Sequence, residues 1–459
     1  MFNSSSKGRA ARLTAVQPRH HSSMTRSPRA TLALALGLAL GLPLSLVSVG
    51  SAQAGDFDFD MAQAQELSPA PGTVISAANV AEFKTVLDPD LADLIQQDWY
   101  AITVGEPLSF DPHPNFVSAT QQYGGQASLE EGSSNVLNYT AGRPFPGEMA
   151  PDDPRAGEKI AWNTRYGFAP DSTVIPEMYW AYRDMRSQGI ERTLTFNAQG
   201  MRYMYRHVNE PMPAFPKNPY AVYSAITLEA EDPTDVEGTK LLIYYNSDDN
   251  AEEQGWMYVP NLRRVRRVAT TARTDSFLGS DLMIEDFLGY SGRIKDMEWK
   301  YGGTTWLLLP MYRHDQQQHA EQKARRYDYQ FVDFTGYSGC FPNVTWQMRK
   351  VHLLEGKPRR DDHPLSKRFF YVDAQTMAPV LGKVYDRAGV LWKMLMAGLA
   401  HPDYHLAENK GSGAPLLDSS AAIDLQNKHC TTLQMVTITN PGDLKPKDFE
   451  PSALNTGAR

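Results

Sequence analysis

Several groups of residues carry side chains whose types and spacing could do chemistry. His314 and His319 bracket Asp-Gln-Gln-Gln, and His401 and His405 bracket Pro402-Asp403-Tyr404. A zinc site wants nitrogen or sulfur ligands at fixed geometry, and histidines four apart share one face of a helix. Pro402 opposes a regular helix there, and no glutamate follows a histidine as a metalloprotease requires, so exposed loop histidines are expected and no metal ligand is assigned. Gly289-Tyr290-Ser291-Gly292 recurs as Gly336-Tyr337-Ser338-Gly339. A nucleophile elbow needs Gly-x-Ser-x-Gly, and Arg293 and Cys340 stand where its last glycine belongs, so both are read as turns. Glycine-rich phosphate loops are absent and no carboxylate pair can be assigned. No catalytic residue and no cofactor is therefore expected.

The densest charge lies in Trp256–Arg267, where an alternating apolar strand and a Pro260-Asn261 turn lead into Arg263, Arg264, Arg266 and Arg267. In a strand Arg263, Val265 and Arg267 face one way and Arg264 and Arg266 the other, so the block cannot floor a groove. Like charges this close need carboxylates or anions. Asp275, Asp281, Glu285 and Asp286 in the next segment are the expected internal partners, with the arginines at a sheet rim pinned by an acidic helix over Asp275 to Phe287. The alternative is anion recognition at that rim, of a lipid head group or an acidic partner.

The compartment follows from the N-terminus. Arg26 and Arg29 precede an apolar run from Leu32 to Val49 that ends in Ala52-Gln53-Ala54, the pattern of a secretory signal peptide cleaved after Ala54. Residues before Met24 read as an upstream extension. All six charged residues of 1–54 are basic, so the exported remainder holds about 39 basic against 53 acidic residues. Such an acidic chain is a poor partner for nucleic acid. The two cysteines, Cys340 and Cys430, could form one disulfide in an oxidising compartment or be two unrelated buried thiols.

These side chains must be positioned by two regions after the leader. Residues 55–170 are rich in Pro, Gly, Asp and Asn and hold one amphipathic helix near Pro89 to Tyr100, so they are expected to be extended and short helical segments packed on something else. Residues 171–459 alternate β-branched and aromatic runs with turn signals. The expected fold class is mainly β, a large curved antiparallel sheet or half-open barrel wrapped on helices. Expected strands include Met201–Val208, Lys240–Asn246, Gly255–Val259 and Arg264–Thr270, with a turn at Asn197 to Gly200. Leu241 to Tyr245, Trp306 to Leu309 and Phe369 to Val372 are apolar on both faces, so both faces must be covered, one of them by the hollow of the sheet. Trp256 and Tyr258 share one strand face and Met201, Tyr203 and Tyr205 another, which makes them the candidate walls of a ligand cavity.

The ordered set Trp256-x-Tyr258-x-Pro260, Arg263-Arg264-Val265-Arg266-Arg267, Asp286-Phe287, Gly289, Gly292 and Trp299 resembles an uncharacterised bacterial family of outer-membrane lipoprotein-sorting-protein-like chains, related to the LolA and LolB carriers. Asp153-Pro154 to Asn163, Arg368 to Asp373 and Tyr385 to Trp392 extend the resemblance over nearly the whole exported chain. It implies a half-open sheet around a helical plug that holds acyl chains. It also implies a periplasmic shuttle for a hydrophobic molecule, working with a resistance-nodulation-division type inner-membrane transporter and an outer-membrane protein. Competing readings are an adaptor that docks a partner through the arginine rim, and a metal-dependent or other hydrolase.

Overall fold

A computed structural model describes residues 54–150, 152–167, 169–268 and 273–455. The apolar run from Leu32 to Val49 and the expected cleavage site as far as Gln53 lie outside the described residues. The described residues cluster as one unit. Among the described residues no helix is long and apolar enough to cross a membrane.

The described chain forms a sixteen-stranded sheet. Three of its strands are two- or three-residue additions, Val74–Ile75, Ile102–Val104 and Met311–Tyr312. The rest, in chain order, are β1 (Ser172–Asp184), β2 (Gly189–Arg202), β3 (Val222–Asp232), β4 (Lys240–Asn246), β5 (Gln254–Val259), β6 (Arg264–Val268) and β7 (Met297–Leu309). They continue with β8 (Thr345–Pro358), β9 (Leu365–Asp373), β10 (Pro379–Asp386), β11 (Leu391–Ala400), β12 (Leu416–Asp424) and β13 (His429–Thr439). Each pairs antiparallel with its neighbours in sequence except at one place: β6 does not pair with β7, and β13 pairs with β1 instead. The spatial order thus runs from β7 to β13 and on from β1 to β6, a strongly curved sheet that is not a closed barrel. The opening lies between β6 and β7.

Strand alternation explains the two-faced apolar runs. Leu241, Ile243 and Tyr245 belong to the core of the hollow, while Leu242 and Tyr244 pack on the opposite face under Phe449 and Leu454. Phe370 and Val372 likewise face the hollow, whereas Phe369 and Tyr371 meet the N-terminal segments through Leu87, Leu91 and Ile95. The helix Pro89–Gln96 forms where the sequence places it, its first turn capped by the Asp88 carboxylate accepting from Leu91 N at 2.9 Å. A second helix, Ala156–Tyr166, buries Ile160, Ala161 and Trp162 against β7 and β8. Gly157 permits that approach, because a β-carbon there would lie 2.7 Å from the Trp299 carbonyl.

Three expectations need correction. Asn197 to Gly200 is not a turn but the interior of β2, paired with both β1 and β3. The strand expected over Met201–Val208 ends at Arg202, and Tyr205 has φ 65°, so alternation fails beyond it. Asp275 to Phe287 is not a helix: it contains two short 3-10 turns, Phe277–Gly279 and Ile284–Asp286, with Leu278 at φ 50°. Its carboxylates are drawn to separate partners rather than along one helical face.

Cys340 and Cys430 form a disulfide with their Cα atoms 6.0 Å apart. It joins the approach to β8 to the start of β13.

Candidate functional site: the hollow of the sheet

The concave face encloses a cavity of about 480 Å³. Its walls are inward side chains of successive strands: Phe370 and Val372 from β9, Leu395 from β11, Leu433 and Met435 from β13, Met178 and Trp180 from β1, Ile226 and Leu228 from β3, and Leu241 and Ile243 from β4. The helix Ala156–Tyr166 contributes Ala161, Thr164 and Arg165. The segment from Leu282 to Ser291 supplies a further side, with Phe287 stacked edge-on against Trp180 and Phe277. Leu288, at the turn of this segment, is both part of the lining and exposed.

That segment is held to the sheet by charge. Arg368 of β9 is fully buried; its Nη1 donates to Asp286 Oδ1 and its Nη2 to Glu285 Oε1. Burial alone would raise the Glu285 carboxyl, but Arg368, helped by His363, brings it down to about 2. Asp281 is fixed separately: its Oδ2 lies 2.7 Å from His429 Nδ1 and accepts from Thr431 Oγ1, while Lys393 Nζ donates to its carbonyl. Gly289 closes the approach, since a β-carbon there would meet Pro379 Cγ at 2.2 Å.

The Asp281 hydrogen bond raises the His429 imidazolium to about 9, outweighing its partial burial, and Glu191 adds to the effect. An unfolded histidine titrates near 6.5. The pair therefore stabilises the docked segment fully below about pH 6.5 and loses that contribution as pH rises through 9. Denaturant unfolding between pH 6 and 10 is expected to show a decline across this window that His429→Gln flattens. An unchanged slope in the variant would remove the assignment.

The acidic segment is thus not the partner of the arginine block. Arg264, Arg266 and Arg267 are exposed on β6, the edge strand beside the opening, and Arg263 precedes it at φ 46°. Among the described residues no ion pair reaches any of the four. Charged edge strands discourage edge-to-edge pairing, which gives these arginines a role without an internal carboxylate.

The candidate walls are not brought together. Trp256 pairs opposite Leu242 and Tyr258 opposite Lys240, so both face away from the hollow. They pack with Tyr203, Tyr244 and Phe449 beneath the C-terminal turns, and Met257 takes the inward position instead. Met201, at the end of β2, is buried in the same outer cluster and only borders the cavity. Tyr205 stacks with Tyr139, Tyr166 and Tyr223 in the inner aromatic cluster, of which Tyr223 touches the cavity.

The histidines are not loop residues in water. On the face away from the hollow, the Asp418 carboxylate is buried among His314, His405, Tyr312 and Tyr329. His314 Nδ1 lies 2.8 Å from Asp418 Oδ2, His405 Nε2 lies 3.8 Å from Oδ1, and both tyrosine hydroxyls donate to the carboxylate. Burial opposes the charge, yet the two histidines hold the Asp418 carboxyl well below its ordinary range. The donor atoms of His314, His405 and Asp418 are close enough to share a metal ion. The Asn409 amide argues against it. Thr439 N donates to Asn409 Oδ1 and Asn409 Nδ2 donates to the Thr437 carbonyl, which fixes the amide so that Nδ2 also faces His405 Nδ1 at 3.0 Å. His405 Nδ1 must accept, its proton sits on Nε2, and an Nε2–H cannot ligate. His401 lies apart, its Nδ1 accepting from Asp403 N.

Neither Gly-Tyr-Ser-Gly turn presents a free serine: Ser291 Oγ donates to the Ile284 carbonyl and Ser338 Oγ to that of Met185.

A relative from Pseudomonas aeruginosa, the uncharacterized protein PA3922, is 23% identical over 345 residues, covering 72% of this chain and 70% of the relative. A crystal structure from Vibrio parahaemolyticus, provisionally assigned as an outer membrane lipoprotein-sorting protein domain, is 18% identical over 66% of this chain and 100% of its own, with a TM-score of 0.44. The LolA superfamily protein NE2245 from Nitrosomonas europaea is 10% identical over 62% of this chain and 93% of its own, with a TM-score of 0.36. At these values the fold rests on the strand pairings above. The family model described as "Protein of unknown function (DUF1329)" matches residues 74–455, and the chain belongs to that family.

Proposed function

We propose that this chain is a periplasmic carrier rather than an enzyme, one that holds a lipid or other hydrophobic molecule in the hollow of its sheet. Its route would run between an inner-membrane transporter of the resistance-nodulation-division type and the outer membrane. The supporting observation is the cavity itself: about 480 Å³, within the range of small-molecule sites, walled by inward aliphatic and aromatic side chains. Filling it would bury apolar area at roughly 25 cal/mol per Å², less the cost of ordering the ligand.

The test is a delipidated protein titrated with a fluorescent fatty acid while its melting is followed. Saturable binding with stabilisation is expected, about 2.7 kcal/mol when the ligand is at a hundred times its Kd. Failure to bind any hydrophobic probe would leave the adaptor reading in front. That second reading is supported by the exposed arginines of β6, which an acidic partner could meet.

A further inference from the structure

Four charged residues line the cavity: Arg165, Asp171, Arg202 and Asp286. Three are matched within the fold. Arg165 Nη1 lies 3.6 Å from Asp249 Oδ1, and Asp286 is bound by Arg368. The Asp171 carboxylate accepts from the backbone N–H groups of His207, Val208 and Asn209. Arg202 is different. It is 6% exposed, its Nη2 donates to the Gly167 carbonyl at 3.2 Å, and its Nη1 is buried without a hydrogen-bond partner. Among the described residues no carboxylate comes within ion-pair distance of it. A buried guanidinium N–H left without a partner is costly, and the planar fork suits the two oxygens of a carboxylate or phosphate.

Its position gives that orphan direction. Arg202 is the last residue of β2 and sits in the lining, where the apolar wall is continued by Ile226 and Leu228 of the neighbouring strand. The hollow is therefore amphiphilic, with a guanidinium that lacks an ion-pair partner at one place and a mostly apolar wall beyond it.

We propose that the cargo is an anionic, oxygen-headed amphiphile whose carboxylate or phosphate is bound by Arg202 while its apolar body occupies the hollow. This rests on the carrier reading and narrows it to a class of ligand. The experiment compares hexadecanoate, hexadecyl phosphate and hexadecanol, which share a chain and differ in the head, against the delipidated full-length mature protein. At least one anion is expected to bind roughly 10- to 100-fold more tightly than the alcohol, the worth of a hydrogen-bonded charge, and the tighter of the two identifies the head. Arg202→Met is expected to erase the difference and leave the alcohol's affinity unchanged. Arg202→Lys, which keeps the charge but not the fork, should retain part of it. Equal binding of all three by the unmutated protein overturns the proposal while sparing the carrier reading, and so does a preference that survives in Arg202→Met. Absence of binding by all three overturns both.

Discussion

Replacing Arg368 by methionine is expected to cost the folded protein about 3–5 kcal/mol, because it strands two carboxylates in the interior. Glu285 and Asp286 are both nearly fully buried and both spend an oxygen on this guanidinium. The cost lies in the uncompensated charge more than in the lost contact. The triple variant Arg368→Met, Glu285→Gln, Asp286→Asn should therefore recover much of the loss. Guanidinium unfolding monitored by tryptophan fluorescence measures it, with the midpoint moving at constant slope. A pH series adds an independent sign. Because the folded Glu285 titrates near 2, below its ordinary 4.5, the clamp stabilises above about pH 4.5 and is lost as pH falls toward 2. A loss well under 1 kcal/mol in Arg368→Met would mean that the segment from Leu282 to Ser291 docks by its apolar contacts alone.

Removing the Cys340–Cys430 bridge by a double change to alanine is expected to cost about 4–5 kcal/mol on the chain-entropy account. The two cysteines are 90 positions apart, so the bridge closes a loop that takes in β8 to β12. Reduction of the unmutated protein should lower its denaturation midpoint by a comparable amount, whereas the alanine variant should not respond to reductant. A midpoint indifferent to reduction would assign the stability of this half of the sheet to its packing.

The sequence made some of this plain, and the reasons differ from residue to residue. Leu241 to Tyr245 and Phe369 to Val372 announce burial on both sides, and the structure covers them by two different agents, as alternation requires. The curved antiparallel sheet follows from the short links at Pro260-Asn261 and Asp386 to Gly389. Other strands gave weak signals. Ser172–Asp184 contains Pro176, and Leu416–Asp424 carries Asp418, Ser419 and Ser420, yet each has strand partners on both sides because tertiary pairing overrides local preference. Period two shows that Trp256 and Tyr258 share a face but not which face, and only the pairing with β4 decides it. Adjacency in the chain likewise pointed the acidic segment at the arginine block, whereas its partner Arg368 lies 82 residues beyond Asp286. Arg202 gave no signal at all: one arginine at a strand end is unremarkable until its surroundings are known.

The pairing of β13 with β1 has a consequence for how the molecule is made. Every other junction among the thirteen long strands joins neighbours along the chain, so each can close as soon as its two strands exist. This one links Asp184 to His429 and Thr173 to Thr439, across nearly the whole sheet domain. Contacts of such separation are the slow ones. A chain arriving N-terminus first therefore builds two open ladders, β1 to β6 and β7 to β12, each with bare edges, and the inward residues of both remain in water until the final strand is delivered. The charged strand Arg264–Val268 is one of those bare edges throughout. The cavity spans both ladders, so it comes into being only with the last long strand of the protein.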